Sequence, residues 1–321
     1  MIGTAGRFVI RALGAAVAFA GVAVSAQDPV VVAKMADDFE SAAWPNTAWN
    51  RASGESRIVT ETAPDVPPGH SLRIDVRFSG KGFEWFGVEP PEPLLVPGRL
   101  TAVTLRYRIG DSRFPLTMKF TDGWGRTEAN GVKYEWTLPA GGTGWQTARF
   151  TVPADWVRPL SVTGFATHNW NAQSEALETS FFVDDLEVET DLADMDPATG
   201  VLRGWTPDPD PREPEKSPKT CPAVSPVSLQ LETGRISHLF VEEKPVVRVG
   251  LRNWLPDTLE GTVFLEAADA DGTVIERTEA PVSIAGLTSF PFEVPADRFG
   301  VFRIAASARY TNGAECSGVL T

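Results

Sequence analysis

The chain has 321 residues and a formal charge of −13, from 42 acidic and 29 basic side chains. Phosphate backbones are held by clustered Lys and Arg, and no basic stripe runs through this sequence, so neither nucleic acid nor an anionic lipid surface is expected as a partner. An acidic excess of this kind suits solubility or a cation site.

Residues 1–26 read as a secretory signal peptide. Arg7 and Arg11 are basic, ALGAAVAFAGVAV follows, and Val24-Ser25-Ala26 offers small residues for cleavage. The apolar run at 12–24 is short for a bilayer span. The expected location is outside the cytoplasm, extracellular or periplasmic, with no membrane insertion after cleavage. What remains, about 295 residues, has room for roughly two domains.

Residues 34–192 carry short alternating segments. SLRIDVRF places Leu72, Ile74, Val76 and Phe78 on one face; TAVTLRYRI does the same with Val103, Leu105, Tyr107 and Ile109. LTMKF and TARFTV follow, then VTGFATHNW and FFVDDLEVET. VPG, DGWG and PAGGTG punctuate them as turns. No segment has a convincing 3.6-residue period, so the expected fold is an all-β sandwich, with an antiparallel jelly roll as the preferred form.

Ten tryptophans are many for this length. Trp85, Trp124, Trp136 and Trp170 are flanked by Gly, Asn or charged residues, which places them on loops or partly solvated faces. An indole covers the C–H face of a sugar ring, and polar side chains answer its hydroxyls. Asp122 and Arg126 beside Trp124 form one candidate site; His168 and Asn169 beside Trp170, with Asn171, form another. The alternative for each tryptophan is core packing. Trp44, Trp49, Trp145, Trp156 and Trp254 are assigned to packing, and Trp205 to docking of a linker.

In FFVDDLEVET, strict alternation puts Phe182, Asp184, Leu186 and Val188 on the inward face. A buried ionised carboxylate must be paired, coordinate a metal or take up a proton. Arg73, Arg77 and Arg106 lie on candidate strands, a hard cation is the second solution, and an exposed Asp184 is the third.

The opening DDFE with Trp44, the closing FFVDDLEVE and the patterning between them resemble carbohydrate-binding modules of the galactose-binding-like superfamily. The resemblance implies a structural calcium between the opening strand and the closing aspartate. The matching positions are Glu40 and Asp184, together with Asp38. Alternation puts Phe39 inward, so Asp38 and Glu40 face out unless the strand bends there.

PDPDPREPEKSP, at 207–218, predicts a stiff, extended linker within 193–224. Residues 225–321 resume the strand pattern, with Asp271-Gly272 and Asn312-Gly313 as hairpin turns. About eight strands in this span fit an immunoglobulin-like sandwich. Cys221 and Cys316 match no zinc spacing. An exported protein permits a bond tying the start of this domain to its end, and two free thiols are the alternative. This half is similar to β-sandwich domains that precede catalytic barrels in bacterial glycoside hydrolases, which implies a catalytic domain or a surface protein as a partner.

No pair of carboxylates is singled out for glycoside hydrolysis. His70, His168 and His238 are the only histidines, and none sits near a nucleophile motif. The leading expectation is a non-catalytic protein that binds a polysaccharide or glycan. The alternatives are a lyase or hydrolase using His168, Tyr107, Tyr134 and Arg126, and a cell-surface structural or adhesion protein.

Overall fold

Every strand pairing among the described residues is antiparallel. The computed structural model describes residues 29–40, 43–61, 69–110, 113–129, 131–140, 142, 144–170, 176–197, 199–205, 221–233, 245–294 and 300–320. The signal segment, Asn171, His238 and most of the proline-rich joint lie outside these residues.

The first half contains β1 (Val31–Asp37), β2 (Asn46–Trp49), β3 (Ser53–Val59), β4 (Ser71–Phe78), β5 (Glu84–Val88), β6 (Leu94–Val96) and β7 (Arg99–Ile109). It continues with β8 (Thr117–Thr121), β9 (Glu128–Ala129), β10 (Val132–Lys133), β11 (Glu135–Thr137), β12 (Gln146–Thr151), β13 (Leu160–Asn169) and β14 (Leu177–Asp191). One sheet runs β12-β7-β14-β4-β3, with β1 also on β14; the facing sheet runs β11-β8-β13-β5-β2, with β6 on β13. The apolar faces read from the sequence meet between them. Leu72, Ile74, Val76 and Phe78 join Leu105, Tyr107, Ile109, Met118 and Phe120 in one core. Each such side chain contributes about 1.5–3 kcal/mol on burial.

Strict alternation fails in the closing strand. Phe181 and Val183 face the core before Asp184, and Leu186 and Val188 face it after. The register against β7 shifts between Asp184 and Glu187, and Asp185 adopts a φ of 46°. One extra residue in a bulge inverts the alternation. Phe182 is therefore on the opposite face from Leu186, which corrects the single inward face expected from the sequence. The bulge sits at a change of partner: β4 pairs with Leu177–Val183, and β1 pairs with residues 186–191. Gly164, with φ 140° and a would-be Cβ 2.2 Å from the Val88 carbonyl, makes a similar inversion in β13.

The second half contains β15 (Val227–Glu232), β16 (Val246–Asn253), β17 (Leu259–Asp269), β18 (Val274–Ile284), β19 (Leu287–Glu293), β20 (Phe302–Tyr310) and β21 (Glu315–Leu320). Seven strands are described where eight were expected. They form a three-stranded sheet, β15-β16-β19, and a four-stranded one, β18-β17-β20-β21. Val247, Val249, Leu251, Val263, Leu265, Ile304 and Ala306 fill the space between.

The two sandwiches touch directly. Trp254 of the second belongs to the core of the first. Lys34 donates to the Ala285 carbonyl, and the Arg252 guanidinium donates to the Ala36 carbonyl. Val32, Leu192, Met195 and Leu202 form a small apolar seam with Trp205, Cys221 and Leu255. The described flanks of the joint are thus folded onto their neighbours, not held extended. Cys221 and Cys316 are free thiols. Cys221 is committed to that seam, while the Cys316 sulfur faces the Tyr310 hydroxyl at 4.0 Å inside the second sandwich. Of the two alternatives left by the sequence, the structure has the free thiols and not the bond.

Candidate functional site

Directly opposed residues of an antiparallel pair share a face. In the sheet of β13, β5 and β2, His168 opposes Trp85, and Trp85 opposes Trp49. All three stand on the face turned away from the core. Phe83, just before β5, joins them, with ring centroids 5.5 Å from Trp49, 4.3 Å from Trp170 and 6.3 Å from His168. Trp49 is 56% exposed and Trp170 69%. The result is an aromatic row along one end of the sheet. Trp85 lies over Gly87: a Cβ there would come within 2.4 Å of the indole Cη2. Only glycine lets the ring settle on the strand.

Beside Trp85 a groove of about 300 Å³ is lined by Lys119, Lys133, Glu135, Thr163 and Ala166. Lys119 is paired with Glu135. Burial lowers the His168 pKa, Lys119 and Lys133 lower it further, and Glu135 opposes them. The imidazole is therefore neutral near pH 7 and offers one donor and one acceptor. Flat rings beside fixed polar groups suit a ligand with an apolar face and a hydroxyl rim.

The structure does not bring every residue predicted from the sequence to this face. Trp136 opposes Met118 and is 8% exposed, stacked on Phe150 at 5.4 Å. It is a core residue, because its strand turns the even position inward. Asn169 is also interior, with its amide directed to Glu84 at 3.5 Å. Burial raises the Glu84 pKa, but hydrogen bonds from Ser79, Gly80 and Asn169 outweigh it and hold the group below its usual range. Asp122 is buried and accepts from the Trp124 amide, the Arg126 amide and the Arg126 Nε, each at 2.9 Å. Arg126 covers the Trp124 ring at 4.1 Å. This trio closes a turn and leaves the carboxylate no outward task. Tyr107 and Tyr134 are buried, and the Tyr107 hydroxyl donates to the Pro139 carbonyl at 2.8 Å. They do not converge with His168 on an exposed face.

The acidic cluster divides in two. The chain bends at Phe39, which has a φ of 51° and is buried. This bend brings Glu40 within electrostatic reach of Asp184. The Glu40 carboxylate accepts from the His70 amide and from its Nδ1, both at 2.7 Å. Asp184 is 4% exposed. Burial, then Asp185 and Glu40, push its pKa up to about 7 against the Asp185 amide and Arg106. Asp38 instead lines the crevice between the sandwiches with Asp37 and Arg252. Glu40 and Asp184 are coupled electrostatically, and Asp38 lies apart from them. Among the described residues no group of three or more His, Cys, Asp or Glu is placed to hold a metal.

The chain matches no family model and no curated protein. Among solved structures it is similar to the family 11 carbohydrate-binding module from Clostridium thermocellum in complex with a β-1,3-1,4-mixed-linked tetrasaccharide. That match is 15% identical, covers 49% of this chain and 94% of that one, and has a TM-score of 0.31. The glycoside hydrolase domain of Endo-D from Streptococcus pneumoniae R6 matches at 11% identity over 86% of this chain and 36% of that one, with a TM-score of 0.33. A β-glucuronidase from Bacteroides uniformis matches at 11% identity, 74% and 26% coverage, and a TM-score of 0.29.

Of the residues singled out from the sequence, Trp85, His168 and Trp170 share this face; Trp49, Phe83 and the Lys119–Glu135 pair lie there as well and were not singled out. Trp49 had been assigned to packing. Its signal was the register: only pairing with Trp85 reveals which way an edge-strand residue faces.

Proposed function

We propose that the first sandwich binds a neutral polysaccharide on the solvent face of β2, β5 and β13, without cleaving it. The observation that carries this reading is the row Trp49–Phe83–Trp170, with both tryptophans exposed and Phe83 half-buried between them, beside Trp85 and its groove. A monomer seldom leaves large rings uncovered in a row without a partner. The groove sets Lys119 and Lys133 against Glu89, Glu128 and Glu135, and His168 beside it is uncharged, so it exerts no net pull on an anion and hydroxyls suit it better than carboxylates or phosphates.

The basic and apolar start of the chain supports export, and the three-plus-four strand arrangement of the second sandwich supports an immunoglobulin-like type. Its contacts with the first sandwich support a docking role. A calcium ion held by Glu40 and Asp184 would neutralise two crowded carboxylates and tie the bend at Phe39 to β14.

The test is affinity electrophoresis in gels containing soluble β-glucan, xylan or galactomannan. The parent is retarded in at least one gel, Trp85→Ala runs ahead of it there, and no new reducing ends appear. A parent that runs unretarded in all three, or a Trp85→Ala protein retarded like the parent, refutes the reading.

A further inference from the structure

The geometry points to a second ligand site on the opposite face of the first sandwich, a cleft that takes a neutral oligosaccharide. The cleft measures about 960 Å³. Its floor is β4, β14 and β7, in the sheet that does not carry the aromatic row. It is independent of the site already described.

Three features define its chemistry. The first is a ring in an unusual place. Phe182 points to the solvent side of its sheet because of the bulge after it, yet it is only 4% exposed. The Arg108 guanidinium covers it at 4.0 Å, Arg73 stands at 5.4 Å, and Trp145 meets it edge-on at 6.2 Å. The second is a clamp around Asp75. Its Oδ1 accepts from Arg73 Nε at 2.8 Å and from the Ser180 hydroxyl at 2.5 Å, and its Oδ2 faces Arg57 at 3.0 Å. Arg108 is held in turn by Glu61 at 2.7 Å. The third is charge balance. In the lining, Arg73, Arg77 and Arg108 stand against Glu55, Glu61, Asp75 and Glu178, and Arg57, paired with Asp75 from outside the lining, brings the count to four against four.

A balanced cleft exerts no net pull on a phosphate, a uronate or a cation. What it presents is a dense array of oriented donors and acceptors. A guanidinium carries five N–H donors, and one ion pair engages only some of them. Side chains already fixed by partners lose little freedom when a ligand arrives. Trp145, half-buried beside the lining residues Phe182 and Arg108, supplies the flat apolar surface. Oriented hydroxyl-binding groups beside an indole describe an uncharged saccharide. With ligand faces on both sides, one module could bridge two polysaccharide chains.

The full chain labelled with 5-fluorotryptophan tests this by fluorine NMR. Trp145 is assigned by its loss in Trp145→Phe, and Trp85 and Trp170 likewise. The probes are cellohexaose, xylohexaose, laminarihexaose and mannohexaose. The Trp145 resonance shifts saturably with at least one of them, and still does so in the Trp85→Ala/Trp170→Ala protein. Asp75→Asn, which opens the clamp with little change of shape, weakens binding read at Trp145 by roughly tenfold or more and leaves shifts at Trp85 unchanged. Arg108→Lys does the same, and the dispersion of the other indole resonances reports the fold of both variants. A Trp145 resonance unmoved by every hexasaccharide overturns the second site. If Trp85 and Trp170 still move, the first site stands; if they do not, it falls as well. An affinity at Trp145 unaffected by both variants also overturns the proposal.

Discussion

Replacing Asp184 by Asn should make the protein more stable at alkaline pH, provided divalent cations are removed. Asp184 is buried where β14 exchanges β4 for β1, with Asp185 and Glu40 beside it. Its folded pKa is about 7 against an unfolded value of 3.8. The native state therefore holds a proton that the unfolded state releases between those two values, and stability falls as pH rises from about 4 to about 7. Each pH unit of displacement corresponds to about 1.4 kcal/mol, which gives at most about 4 kcal/mol. Solvent screening of a partly buried group reduces the usable part to about 2 kcal/mol. In a sandwich of this size that equals roughly 4–8 °C of melting temperature. Burial also raises the pKa of Asp37, to about 6, so part of the decline has the same sign and survives the substitution. The assay is calorimetric melting from pH 4.5 to 8.5 in chelator, parent against Asp184→Asn. The gap between the two curves should open from about pH 4.5, widen to about pH 7 with the variant higher, and stay constant above that. Parallel curves across the range would refute the raised pKa. Calcium should close the gap from the other side, by raising the parent above pH 6 and leaving the variant nearly unmoved; no effect of calcium on the parent removes the metal.

Trp170→Ala should weaken glycan binding by about 2 kcal/mol. A fully covered indole hides about 250 Å², Trp170 has 69% of its surface exposed, and a sugar covering half of that removes about 80 Å² from water at about 25 cal/mol/Å². Isothermal titration should show a loss of roughly thirtyfold, and a loss below threefold contradicts the role. Binding should be flat from neutral pH upward and fall on acidification below the ordinary histidine range, because His168 is neutral until it protonates; a His168→Gln protein should lose that acid limb. Asp122→Ala should cost about 3 kcal/mol in denaturant melts, since it removes the carboxylate paired with Arg126 and the acceptor of two turn amides, without altering glycan affinity. Arg252→Ala should loosen the contact between the sandwiches, read as faster proteolysis near the joint, with carbohydrate binding retained.

The strands were legible because period-2 alternation is a local signal: β4, β16 and β20 keep one apolar face from end to end, and β7 does so from Val103 to Ile109. The departures arise where local pattern yields to pairing. The bulge at Asp184–Asp185 inverts a strand that reads as unbroken alternation, and nothing in FFVDDLEVET marks it except two adjacent aspartates and the change of partner strand. The same limit governed the tryptophans. Flanking residues suggested exposure for Trp85, Trp124, Trp136 and Trp170 alike, yet Trp136 is stacked on Phe150 and Trp124 is roofed by Arg126. Composition around a ring says that polar groups are near. It does not say whether they face the ring or face away, which register alone decides. Asn169 and Trp170 show this within two adjacent residues. One turns in to Glu84 and the other out to Phe83, so a binding face in a sandwich consists of alternate residues from neighbouring strands, never of a contiguous stretch.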